Sequence, residues 1–185
     1  MLLIVDNRDS FTYNIIDTLR KIGFRDYIVR NNPTEAEIIQ SKKIIFSPGP
    51  GLPEDFPIMF KILEKFGHKK PIMGICLGFQ AIAQFFGSQL YRLPFPVHGQ
   101  NQQIRLKETS KMFKSCPSSF TVGLYHSWAV EIKSLPEELK ITAISENNIL
   151  MAVEHKKLPI FGVQFHPESY IFQCGKQIFK NFISL

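Results

Sequence analysis

The stretch PIMGICLGFQAIAQFFG, residues 71–87, changes character at a single residue, Cys76. Its first part, PIMGI (71–75), is a continuous apolar run of the length expected for a strand covered on both faces. Its second part, FQAIAQFF, reads as a helix that ends near Gly87. A strand running straight into a helix is half of a β-α-β unit, and the same unit recurs towards the N-terminus. LLIVD (2–6), DYIVR (26–30) and KIIFS (43–47) read as buried strands. Between them, Phe11, Ile15, Ile16, Leu19 and Ile22 recur at helical spacing and stop at Gly23. TEAE (34–37) is a capping-box pattern that opens a short helix, and 57–66 is another helix. This alternation implies a parallel sheet with helices on both faces.

Towards the C-terminus the pattern changes. QQIRL (102–106), SFTVGLY (119–125), AVEIK (129–133), LKITAIS (139–145) and ILMAVEH (149–155) are strand-like runs with little helix between them. They read as an antiparallel or mixed addition to the sheet. PIFGVQF (159–165) is a further buried strand, and a final helix carries Phe172, Ile178, Phe179, Phe182 and Ile183 on one face. The expected class is α/β, an open mixed, mostly parallel sheet flanked by helices, in one domain over 1–185.

The totals agree with a single core: 185 residues, 44% hydrophobic and 21% charged. The three cysteines, Cys76, Cys116 and Cys174, form no C-x-x-C pair, so neither a disulfide framework nor a zinc motif is expected, and reduced thiols fit the cytoplasm. MLLIVDNRDS has no basic leader, and nothing approaches the roughly 20 apolar residues of a membrane span. The net charge of +6 is spread thinly, its densest groups being the pairs at 42–43, 69–70 and 156–157. That reads as a solvated basic surface and not as a nucleic-acid stripe. No metal or cofactor is expected.

In an open α/β sheet, chemistry gathers beyond the C-terminal ends of the parallel strands. Four stretches qualify: the polar cluster after LLIV, the loop after IIFS, Cys76 after PIMGI, and HPES after GVQF. Gly74-Ile75-Cys76-Leu77-Gly78 has the G-x-C-x-G form of a nucleophile elbow, with thiol for hydroxyl. The following helix would place its N-terminus under the sulfur and favour the thiolate. The Leu77 N–H would then face a developing oxyanion. On its own the motif is a weak signal, and a buried small hydrophobe is the commoner reading of such a cysteine. A thiol nucleophile needs a base, and the base needs an orienting partner. Of five histidines, His68 and His155 adjoin lysines and read as solvated, whereas His166 follows a strand end and precedes Pro167. An extended His166 would point the same way as Glu168. Cys76, His166 and Glu168 are therefore the candidate triad. SPGPGLP (47–53) supplies a close-approach loop. Pro50 has no N–H, so a donor there must be Gly49 or Gly51. A Walker-type phosphate loop would need a Gly-Lys-Ser/Thr end that is absent.

Taken together, VDNRDSFTYNI (5–15), SPGPGLP (47–53), GICLGFQAIA (74–83), LYHSWAV (124–130), GVQFHPES (162–169) and GKQIFKNF (175–182) resemble class I, triad-type, glutamine amidotransferases. The resemblance is to the chorismate-using branch, the small subunits of anthranilate and aminodeoxychorismate synthases. It implies a flavodoxin-like amidotransferase fold and a glutaminase that takes L-glutamine, forms a thioester at Cys76 and passes ammonia to a chorismate-binding synthase subunit. By the same resemblance, Gln80 and the Ser127-Trp128 backbone hold the substrate's α-groups. Gly49, Pro50, Gly51 and Leu77 line the site and its oxyanion hole, and loop 95–102, FPVHGQNQ, meets the partner. Three residues depart from the family pattern: Phe79 for histidine, Gln100 for lysine and Trp128 for leucine. Phe79 and Gln100 leave room for a non-catalytic interaction subunit on the same scaffold, against which the intact Cys76, His166 and Glu168 argue.

Overall fold

The structure, a computed structural model, describes residues 1–170 and 174–185; Phe172, assigned above to the last helix, lies outside these. Strands β1 (Leu2–Val5), β2 (Tyr27–Arg30), β3 (Lys43–Phe46) and β4 (Ile72–Ile75) alternate with helices α1 (Phe11–Lys21), α2 (Glu35–Gln40), α3 (Pro57–Phe66) and α4 (Leu77–Phe85). Then come β5 (Leu90–Leu106), β6 (Ser119–Val130), β7 (Leu139–Ser145), β8 (Leu150–His155), β9 (Ile160–Val163) and α5 (Gly175–Ile183). The described strands form one sheet in the order β2-β1-β3-β4-β9-β8-β7-β5-β6. From β2 to β9 every pairing is parallel, and from β9 to β6 every pairing is antiparallel.

The parallel half is buried on both faces because successive strand residues point to opposite sides. Leu2, Ile4, Met73 and Ile75 pack on one face against Ile15 and Leu19 of α1 and Phe179 and Phe182 of α5. Leu3, Val5, Ile44 and Ile72 pack on the other against Ile62 and Leu63 of α3 and Ala81 and Ile82 of α4. Helix α2 starts on the expected capping box: Thr34 Oγ1 accepts from the Glu37 N–H at 3.3 Å, and the Glu37 carboxylate accepts from the Thr34 N–H at 2.8 Å.

The antiparallel half differs from the sequence expectation in two places. SFTVGLY and the first two residues of AVEIK belong to one strand, β6, which runs through His126–Trp128 and gives way to a 3₁₀ turn at Ile132–Ser134. FPVHGQNQ is not a free loop but the middle of β5. Prolines 94 and 96 fall in the ladder break between Arg92 and Val97, and Gly99 (φ +65°) in the break between His98 and Gln100. Proline cannot donate to a ladder. β5 skips it at the break and resumes its bonds to β6 on either side.

Candidate active site

The strand order brings the four polar stretches side by side, because β1, β3, β4 and β9 are consecutive neighbours. Phe46 pairs with Gly74, and Gly74 with Gly162, so these strands end level. Asn7, loop 47–51, Cys76 and the 164–168 segment therefore share one edge. Asn7 braces the loop: its N–H donates to Ser47 Oγ at 2.8 Å and its Nδ2 to the Ser47 carbonyl at 2.7 Å. A side chain at Gly49 would lie 2.5 Å from Leu77 Cδ2 and 2.7 Å from Asn7 Cβ, so only glycine lets this loop reach the start of α4.

Cys76 sits between β4 and α4 with φ +52° and ψ −103°, a region that non-glycine residues enter only under strain. The surroundings enforce it. The Cys76 N–H donates to the Val163 carbonyl at 2.8 Å, and the Cys76 carbonyl accepts from the Gln80 N–H at 3.0 Å. Gly74 and Gly78 allow the sharp turn: a Cβ on Gly74 would lie 2.3 Å from the Gly78 carbonyl oxygen, and one on Gly78 would lie 2.5 Å from the Phe46 oxygen. Both obstacles are backbone and cannot swing aside. Gly78→Ala should therefore destabilise the fold by about 1–3 kcal/mol, as overpacking does. The urea midpoint of the variant reads this, and an unchanged midpoint would contradict the close fit.

His166 and Glu168 are both buried, and the His166 Nδ1 to Glu168 Oε1 distance is 2.7 Å. The route to this contact differs from the extended one expected. Residues 166–169 form a turn closed by the Ser169 N–H on the His166 carbonyl at 3.1 Å, with Pro167 at its first corner, where a fixed φ favours it. Two aromatic rings hold the imidazole from the side: Phe11 at 4.8 Å and Tyr125 at 5.0 Å between centroids. Burial alone would depress the His166 pKa. The Glu168 charge and the contacts with Cys76 and Glu168 outweigh it and raise the group well above its ordinary 6.5. Nε2, the nitrogen not engaged by Glu168, has no hydrogen-bond partner among the described residues and is open to move a proton.

A protonated His166 adds stability that is complete below about pH 6.5 and is lost as pH rises through its raised folded value. Glu168→Gln removes the charge that sustains it. An NMR titration of the imidazole should show His166 losing its proton at lower pH in the variant than in the wild type. Coincident titrations would contradict the assignment.

Beside Cys76 lies a cavity of about 220 Å³. At ~30 Å³ for each water it displaces, it has room for a small molecule and no more. Residues 49–51 form one wall, Cys76 and Gln80 the floor, and residues 125–128 of β6 the other wall. Gln80 Nε2 donates both to the Trp128 carbonyl at 2.9 Å and to Gln164 Oε1 at 3.1 Å. Its two amide hydrogens are thus committed. His126 Nδ1 also lies 2.8 Å from the Trp128 carbonyl, which fixes the proton on Nδ1, since a carbonyl can only accept. Burial lowers the His126 pKa, against the Trp128 bond and with help from the His166 charge, which favours the neutral imidazole. Of the residues expected in the site, 49–51, Cys76, Gln80, Ser127 and Trp128 line the cavity. Leu77 follows as the first residue of α4, where helix N–H groups lack an intrahelical acceptor.

The family model for class-I glutamine amidotransferases matches residues 3–185. The chain belongs to the class I glutamine amidotransferase family. A Haemophilus influenzae protein, provisionally named anthranilate synthase component II, is 40% identical and is aligned over 100% of this chain and 96% of its own. Anthranilate synthase component 2 of Azospirillum brasilense is 39% identical over 100% of this chain and 95% of its own. Among solved structures, a Thermoplasma acidophilum protein, provisionally named as part of a GMP synthase, superposes with a TM-score of 0.88 at 28% identity, covering 99% of this chain and 92% of its own.

In this amidotransferase the three departures fall in different places. Phe79 turns away from the cavity into a core cluster with Ala83, Val130 and Leu150, over Gly162, where a Cβ would lie 2.5 Å from the Phe79 ring. Gln100 is exposed on β5, and Trp128 walls the cavity. Sequence reading missed Phe11, Tyr125, His126 and Gln164. All four lie inside the matching segments; the contacts of Phe11 and Tyr125 with His166 and of Gln164 with Gln80 and Cys76 cross 40 residues or more of chain and leave no local pattern, whereas His126 bonds locally to the Trp128 carbonyl. His155, read as solvated, is instead buried: its Nδ1 accepts from the Lys157 and Leu158 N–H groups, and its ring packs 4.9 Å from Phe86. Cys116 and Cys174, far apart in sequence, are in contact, and burial together with Cys174 pushes the Cys116 thiol up to about 12. A larger hollow of about 540 Å³, lined by Lys111, Lys140 and Glu154 among others, holds neither thiol nor imidazole. Among the described residues no helix is long and apolar enough to cross a membrane.

Proposed function

We propose that the chain is the glutaminase subunit of a chorismate-using synthase, releasing ammonia from L-glutamine for anthranilate formation. The observation that carries this reading is the strained Cys76 beside the buried His166–Glu168 pair, opening on a cavity of amino-acid size. Cys76 Sγ attacks the side-chain amide carbon of glutamine. The Leu77 N–H and a Gly49 or Gly51 amide stabilise the oxyanion. His166 protonates departing ammonia, and Glu168 holds the imidazole in place. The γ-glutamyl thioester then reacts with water, which gives its proton to His166, and glutamate leaves. Because both Gln80 hydrogens are committed, its free Oε1 accepts from the substrate's α-ammonium, and the Ser127-Trp128 backbone takes the carboxylate. Free thiols at Cys76, Cys116 and Cys174 suit a reducing compartment such as the cytoplasm.

Identities of 39–40% to proteins named as anthranilate synthase components favour a chorismate-binding partner, component I, as ammonia acceptor. The T. acidophilum neighbour supports a second reading, the same glutaminase serving a nucleotide synthase, at the lower identity of 28%. Glutamine labelled at its amide nitrogen, supplied with chorismate and a chorismate-binding subunit, should yield labelled anthranilate. Label in aminodeoxychorismate would move the chain to the sister enzyme. No transfer to either product would overturn the chorismate assignment.

A further inference from the structure

We infer that Gln164 stabilises the Cys76 sulfur as a thiolate by donating an amide hydrogen to it, and that Gln80 fixes the direction of that donation. Gln164 follows β9 and is wholly buried, with Nε2 3.5 Å from Cys76 Sγ. A glutamine side chain can present either its nitrogen or its oxygen to a neighbour, and only the surrounding network decides which. Here the network starts from a group that cannot be reversed. The Trp128 carbonyl only accepts, so Gln80 must turn Nε2 towards it, at 2.9 Å. The second hydrogen of that nitrogen goes to Gln164 Oε1, at 3.1 Å. Gln164 must then aim its own Nε2 at the sulfur. The opposite orientation would set two donors, Gln80 Nε2 and Gln164 Nε2, against each other and turn a carbonyl oxygen on the thiolate. One backbone carbonyl on β6 thus dictates, through two side chains, that the nucleophile meets a donor. The α4 N-terminus beneath Cys76 acts in the same sense.

The role rests on Cys76 as the nucleophile. Gln164 touches the reacting atom and is catalytic in that sense, whereas towards the sulfur Gln80, apart from its contact with the substrate's α-ammonium, acts through Gln164 as a positioning residue. The titratable groups around the thiol are His166, with Glu168 behind it, from the 166–169 turn, and Tyr125 and His126 from β6. Substitutions at Gln164 and Gln80 leave all four in place.

The test is the rate of iodoacetamide alkylation of Cys76, followed by peptide mapping across pH, on the intact chain without glutamine or partner. Gln164→Met keeps the length and removes the donor. Hydrogen bonds to charged groups are strong enough that its alkylation rate at neutral pH should fall about ten- to a hundredfold, with the profile displaced upward by about one to two pH units. Gln80→Leu frees the Gln164 amide to rotate and should give a smaller shift in the same direction. The double variant should match Gln164→Met alone, because Gln80 reaches the sulfur only through Gln164. A Gln164→Met profile that overlays the wild type, or additive shifts in the double variant, would overturn the inference. Should Gln164→Met fail to fold, Gln80→Leu decides alone: an unshifted profile refutes the relay. Such a failure leaves the glutaminase reading intact, which falls only if Cys76 proves dispensable.

Discussion

Cys76→Ser should abolish glutamate release from glutamine, while a partner synthase supplied with ammonium salts continues to make product. Serine keeps the elbow's shape but leaves a hydroxyl where the surroundings are built for a thiolate. Loss of a triad nucleophile costs on the order of 10⁶-fold in comparable enzymes. Cys76 is held at a strained φ of +52°, and the close approaches at Gly74 and Gly78 permit the turn that carries it. Glutamate release measured beside ammonium-dependent synthesis separates the two subunits' chemistry. Wild-type glutaminase turnover in Cys76→Ser would remove the nucleophile assignment, and loss of the ammonium reaction would mean that the variant no longer supports its partner.

The second large effect is expected from the partner. Ammonia released without an acceptor is wasted glutamine, and the site has parts that a partner could move. The Leu77 N–H is fixed on α4, but Pro50 and Gly51 lie on the exposed lip of loop 47–51, beyond the Asn7 brace. A second set of contacts leads inward from β5: His98 stacks edge-on to Tyr125 at 5.4 Å, and Tyr125 to His166 at 5.0 Å. These two ring contacts connect the 95–102 segment to the imidazole. One misplaced oxyanion donor costs roughly a hundred- to a thousandfold. Glutaminase activity of the isolated chain should therefore rise by about that factor on titration with a chorismate-binding synthase, most with chorismate present. Gln100→Lys, on the same segment, should change the partner's affinity. An isolated chain as fast as the complex would refute the activation, and unaltered affinity in Gln100→Lys would remove that segment from the interface.

The parallel half of the sheet was legible because its signals are local. LLIV, KIIF and IMGI are short apolar runs, α2 carries its own capping box, and G-x-C-x-G announces a tight strand-to-helix turn. The antiparallel half was less so. Whether Pro94 and Pro96 end a strand or merely interrupt it depends on β6, which lies more than twenty residues on, and no window of sequence contains both. The candidate triad was legible as residue types at strand ends, yet the reason His166 meets Glu168 was not: Pro167 makes a turn there, not an extended segment. Gln164 shows the limit most plainly. Its contact with Cys76 spans 88 positions, and nothing about a glutamine at the end of a strand distinguishes a structural amide from one aimed at sulfur.

The central claim is that Cys76 is the glutamine-directed nucleophile, and stoichiometric labelling tests it most directly. A diazo-ketone analogue of glutamine must both fit the cavity and meet a reactive sulfur. Cys116, its thiol held up near 12 by burial and by Cys174, is a poor competitor at neutral pH. Peptide mapping should find one label per chain, on Cys76, with the reaction slowed by glutamine in proportion to its occupancy of the site. Label on Cys116 or Cys174, or labelling of Cys76 that glutamine does not slow, would contradict it.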